Sequence, residues 1–134
     1  MGVFKGRTAM GAGRGRQKRL GQMLKTNWEN GYMAKAYWVA RVDVQDPDAY
    51  KNYVAANAEA FKKYGARFLV RAGRFETMEG SSRSRNVVIE FDSYDQAMAC
   101  YKSPEYARAK ALRDAASEGD LVIVEGYDGP QPTD

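Results

Sequence analysis

The sequence predicts an α+β fold, a ferredoxin-like βαββαβ sandwich over residues 33 to 128. Three observations carry that expectation. Four runs of apolar residues alternate like strands. Helical spacing with start and stop signals separates the first run from the second and the third from the fourth. A chain of 134 residues supplies one hydrophobic core without disulfides or metals. Two βαβ halves with right-handed crossovers then give an antiparallel four-stranded sheet of order 4-1-3-2, with the helices on one face.

From Ala34 to Val44 the residues are aromatic or β-branched in alternation, with Trp38 and Val42 on one face and Tyr37, Val39 and Arg41 on the other. That is the first strand. Asp46-Pro47 supplies an N-cap and a first-turn proline, and Tyr50, Tyr53, Asn57, Ala60, Phe61 and Tyr64 recur at helical spacing until Gly65. Residues 66 to 78 read as the second strand with a bulge at Gly73, and Asn86 to Phe91 as the third, so the two form a long hairpin. Ser93 and Gln96 make a capping box for a short helix to about Tyr101, and Ser103-Pro104-Glu105 restarts a helix running to about Ala116. Leu121 to Tyr127 is the last strand, and 129 to 134 a loose tail.

Phe68, Val70, Val87, Ile89, Phe91, Val122 and Val124 are assigned to the core side with Trp38 and Val42. The other side then carries Tyr37, Val39, Leu69, Val88, Leu121 and Ile123 among charges. That face is too apolar to leave in water as a contiguous patch, so a second copy of the chain is expected to cover it. The partner read from the sequence is therefore self, in a homodimer.

The formal net charge of +4 invites a nucleic-acid or membrane partner, but its distribution removes most of that invitation. Residues 1 to 32 hold seven basic residues (Lys5, Arg7, Arg14, Arg16, Lys18, Arg19, Lys25) against Glu29, which leaves 14 basic and 16 acidic residues in the rest. This Gly- and Arg-rich segment has no periodicity and reads as a disordered basic arm. Alternatively it precedes the true start at Met33, because Trp28-Glu29 requires a purine-rich GGGA stretch a few codons upstream, similar to a bacterial ribosome-binding site. No membrane partner is expected: no apolar run approaches the roughly 18 residues of a span, and the N-terminus lacks the apolar centre of a secretory signal. With one cysteine, Cys100, and no histidine, neither a metal site nor a disulfide framework is indicated, no cofactor is implied, and the setting reads as cytoplasmic.

At DPDAYKNYVAANAEAFKKYGARFLVRAGRFETMEG (46 to 80), RNVVIEF (85 to 91), CYKSPEYARAKALR (100 to 113) and LVIVEGYDG (121 to 129) the chain resembles the domain-of-unknown-function 1330 family. The resemblance covers nearly all of 34 to 130 and implies a dimeric α+β barrel, in which two ferredoxin-like sheets meet face to face. Small monooxygenases, isomerases and ligand-binding stress proteins share that fold, and fold alone transfers no function. The family itself brings no settled activity.

Asn57 interrupts the apolar face of the first helix, and with Trp38, Tyr101 and Tyr106 it is a candidate lining of a ligand cavity between helices and sheet. Cofactor-free monooxygenases of related fold use Asn, Trp and Tyr in such a place, usually with a His that is absent here. The plainer reading has the Asn57 amide bonded to backbone inside the core. The expected strand order also sets Glu90 between Arg41 and either Arg67 or Arg71, as an ion-pair network fixing the dimer register or as a carboxylate-binding cluster. Cys100 lacks any His to activate it and reads as a buried thiol.

The function these residues suggest is the binding or transformation of a small organic molecule in that pocket, with enzyme and binding protein both open. The alternative is a non-catalytic dimerisation or stress-related module. An RNA-recognition module shares βαββαβ order, but NVVIEF offers one aromatic and an acid where a basic aromatic pattern is needed, so nucleic acid is disfavoured as a partner.

Overall fold

A computed structural model describes residues 34–134. The expectations for residues 1 to 32, a basic arm or a segment ahead of the start, lie outside the described residues. Ala36–Glu125 form one compact unit. Its elements are β1 (Ala36–Val44), α1 (Pro47–Tyr64), β2 (Arg67–Arg71), β3 (Arg85–Phe91), α2 (Tyr94–Lys102), α3 (Pro104–Ala116) and β4 (Ser117–Glu125). Residues 34–35 and 126–134 belong to a second unit, in which the Gly126 N–H donates to the Lys35 carbonyl at 2.7 Å. Among the described residues no helix is long and apolar enough to cross a membrane.

The helices begin and end where local chemistry dictates. The Asp46 carboxylate accepts from the Ala49 N–H at 3.1 Å, Pro47 fits the first turn, and Gly65 at φ 71° closes α1 in the left-handed region. Ser93 caps α2 through the Gln96 N–H, but the reciprocal half of the expected capping box is not made. Gln96 Nε2 instead donates to the Tyr64 carbonyl at 2.6 Å and satisfies an end carbonyl of α1. Ser103 ends α2 and starts α3: its hydroxyl donates to the Cys100 carbonyl at 2.7 Å and accepts from the Tyr106 N–H at 3.1 Å.

The sheet order is β2-β3-β1-β4, the expected 4-1-3-2 order seen from the other edge, with every pair antiparallel. Trp38, Val42, Val87, Ile89 and Phe91 face the helices and form the core with Tyr50, Tyr53, Phe61, Cys100 and Tyr106. Trp38 sits at its centre, its ring 4.8 to 5.7 Å from those of Tyr106, Phe91, Phe61 and Tyr101. Offset and edge contacts of this kind add to the burial of each ring.

Three strand expectations are corrected. The long hairpin does not form: β2 stops at Arg71, Ala72 turns at φ 59° with its N–H bonded to the Asn86 carbonyl, and the loop to Ser84 is largely exposed. The bulge falls between Phe68 and Val70 rather than at Gly73, which moves Val70 to the open face opposite Val88 and Arg71 to the helix face opposite Val87. On β4 the two faces are exchanged. Leu121 pairs with Ala40 and Ile123 with Trp38, so these point to the core, while Val122 and Val124 pair with Val39 and Tyr37 on the open face. LVIV is apolar at every position, so its alternation carries no phase, and only the pairing register decides which side faces in.

Candidate functional site

The strand directions bring six chain positions to one end of the sandwich. There β1 and β2 finish, β3 and β4 begin, α1 starts and α3 ends. Two spaces open between sheet and helices at this end. The inner one, about 30 Å³, is walled by Trp38, Tyr50, Tyr53, Asn57, Phe68 and Ile89, with Arg71, Arg85 and Arg113 also on its lining. The outer cleft, about 280 Å³, lies between α3 and β4 and is lined by residues that include Tyr101, Lys110, Asp114, Ser117 and Asp120. Ala40, Val42, Arg113 and Leu121 border both, so these four side chains partition the two spaces.

A polar chain runs along the partition. Arg113 Nη1 donates to the Tyr106 hydroxyl at 2.8 Å, and that hydroxyl is 2.8 Å from the hydroxyl of Tyr53. Burial, with the neighbouring Tyr53, pushes the Tyr106 hydroxyl far above the ordinary tyrosine value, and burial raises Tyr50 as well. These phenols are therefore hydrogen-bond donors and acceptors rather than bases. Arg113 lies against the rings of Tyr53 and Tyr106, 6.0 and 5.8 Å from their centroids. Asn57 is 5% exposed, lines the inner space, and makes no side-chain hydrogen bond to another described residue. The expectation that its amide bonds a backbone group is thus not met; the amide faces the space instead.

Of the residues singled out from the sequence, the structure brings Trp38 and Asn57 together on the inner space and places Tyr101 on the outer cleft. Tyr106 stands behind them, fully buried, and reaches the site through its hydroxyl. The Trp38 indole N–H donates to the Ala97 carbonyl at 3.0 Å, which fixes the ring in the wall.

The charged cluster is only partly assembled. Arg67 Nε donates to Glu90 at 3.0 Å and its Nη2 to Asp92 at 3.0 Å, and the Tyr37 hydroxyl donates to Glu90 at 3.3 Å. Burial and the Glu90 charge raise Tyr37. Arg41 is elsewhere: the register sets Tyr37, not Arg41, opposite Glu90, and Arg41 Nη2 donates to the Ser81 carbonyl at 3.1 Å. Arg71 is on the opposite face, 3.9 Å above the Phe68 ring, because of the bulge. Sequence reasoning missed Arg85, Arg113, Tyr50 and Tyr53. Among the described residues no group of three or more His, Cys, Asp or Glu side chains is arranged to hold a metal.

Fold and site together define a small ferredoxin-like α+β protein with a basic, tyrosine-rich recess at one end of its sandwich. The chain belongs to the family described as domain of unknown function (DUF1330), which matches residues 35–127. Among solved structures it is similar to the RPA0582 protein of unknown function from Rhodopseudomonas palustris, with 16% identity and a TM-score of 0.60 over 79% of this chain and 93% of that one. It is also similar to SnoaB, a cofactor-independent oxygenase from Streptomyces nogalater, with 15% identity and a TM-score of 0.51 over 74% of this chain and 98% of that one. At such identities the likeness is one of fold. No curated protein matches the chain.

Proposed function

We propose that this chain works as a homodimer that takes up a small organic molecule in the recess between sheet and helices. The observation that carries the pocket is the unpaired Asn57 amide facing a tyrosine-lined space that adjoins the outer cleft across Arg113. A few convergent polar groups in an aromatic wall are the ordinary make-up of a ligand site. The inner space alone holds only about one or two water molecules, so a ligand occupies the outer cleft and reaches inward by displacing the Arg113 partition. Homodimerisation is supported by the open sheet face, where Leu69, Val70, Val122 and Val124 are all at least 40% exposed beside Tyr37, Val39 and Val88.

The test is a thermal-shift and calorimetric screen of small aromatic and hydroxylated fragments against the wild type and Ala40→Leu, whose added carbons enter both spaces. Fragments should raise the melting temperature of the wild type and lose that effect in the filled variant. Equal shifts in both proteins would place binding outside the recess. The small inner volume favours one other reading, a non-catalytic assembly module. In that case no fragment binds either protein while the dimer persists.

A further inference from the structure

Among the described residues the recess is lined by three guanidinium groups, and its inner space by no carboxylate. Arg71 comes from the end of β2, Arg85 from the start of β3 and Arg113 from the last turn of α3. Each rests on an aromatic ring: Arg71 over Phe68 at 3.9 Å, Arg85 over Tyr50 at 5.2 Å, and Arg113 near Tyr53 and Tyr106. No described carboxylate forms a salt bridge with Arg71 or Arg85, and the sole acid near Arg113 is its chain neighbour Asp114, at 3.7 Å. Four acids around this end, Asp114 included, are engaged by other partners. Asp114 holds Lys110 at 2.6 Å, Asp43 and Asp120 hold Arg83 at 2.8 and 2.9 Å, and Asp46 caps α1. Arg85 Nε is buried with no hydrogen-bond partner among the described residues.

A guanidinium taken partly out of water and left without an acceptor is unfavourable, and ring contacts replace only part of the lost hydration. Arg85 is in that position at its Nε, Arg113 commits its Nη1 to the Tyr106 hydroxyl, and the exposed Arg71 adds a third positive charge, so with no described carboxylate on the inner lining the space favours a negative charge. A carboxylate suits them because its two oxygens accept parallel N–H bonds from a guanidinium. Resting on the pocket reading above, we propose that the ligand is a small organic acid. Its carboxylate is held by Arg71, Arg85 and Arg113, with the Asn57 amide and the Tyr53 hydroxyl alongside. Its body extends past Arg113 into the outer cleft, where Lys110, Ser117 and Asp114 suit a hydroxylated rather than a purely alkyl frame.

Calorimetric titration of the full chain with 4-hydroxybenzoate and with its neutral amide, 4-hydroxybenzamide, tests this. The acid should bind at least about tenfold more tightly than the amide, the worth of one charge-assisted contact. Arg85→Gln and the more exposed Arg71→Gln should each bring the acid down toward the amide while both variants keep the circular dichroism of the wild type. Arg85→Lys should recover part of the preference. Equal affinity for acid and amide would overturn the anion inference and leave the pocket standing. Failure of both compounds to bind the wild type at millimolar concentration would overturn the two together.

Discussion

Burial pushes the Cys100 thiol up to about 12, with the charge of Glu105 adding to the effect, and its Sγ sits 3.9 Å from the Ala60 carbonyl. Because the folded value lies above the unfolded one, the native state keeps a proton that the unfolded chain has lost between pH 9 and about 12. Stability should therefore fall as pH rises through that window, and a Cys100→Ser variant should lose this part of the dependence. At pH 8 a disulfide reagent should leave the thiol untouched until denaturant is added; rapid labelling of the native protein would show the burial to be misjudged. This inert thiol was legible in the sequence, since no histidine exists to activate it. Arg85 and Arg113 were not picked out, although the signal was present. Arg85 continues the inward alternation of Val87, Ile89 and Phe91, and Arg113 follows Tyr106 by two helical turns. An arginine on an apolar face reads as a rim residue unless burial is known.

Among the elements, β4 shows how pairing settles what composition leaves open. Gly119 lies opposite Val42, and a Cβ there would stand 2.6 Å from the Arg41 carbonyl oxygen, a backbone atom that cannot step aside. The glycine thus permits the close approach of β1 and β4 that sets Leu121 and Ile123 inward. Gly119→Ala should destabilise the fold by about 1 to 3 kcal/mol, as overpacking against fixed neighbours does, and a melt equal to wild type would show that the strands can part. Helix boundaries were readable because Asp46, Gly65, Ser93 and Ser103 act on backbone groups within a few residues. The phase of β4 and the bulge at Leu69 were not, since both depend on partners across the sheet. The bulge also shapes the proposed site, because without it Arg71 would lie on the open face and the basic recess would lose one of its three cations.

For the whole molecule the consequence of that register is the composition of the open face. With Val122 and Val124 turned outward beside Val39, Tyr37, Val88 and Val70, the face is apolar across the middle of β4, β1 and β3, with Arg67 and Glu90 flanking it toward β2 and Arg41, Asp43, Glu118 and Asp120 flanking it where β1 finishes and β4 begins. A second copy meeting this face would bury the valines and leave the Arg67–Glu90–Tyr37 network to set the register between copies. Val122 gives the cleanest probe, because at 58% exposure in the single chain a charge there does not disturb the fold. Val122→Glu should leave the circular dichroism and the thermal midpoint of the isolated subunit unchanged. It should weaken association by about 3 kcal/mol or more, roughly a hundredfold, since an unpaired carboxylate would enter the covered face. Light scattering over a concentration series reads the difference as a shift from dimer to monomer. A wild type that is monomeric at high micromolar concentration would remove the homodimer from the proposal. A variant that stays dimeric would move the interface off the sheet to another surface.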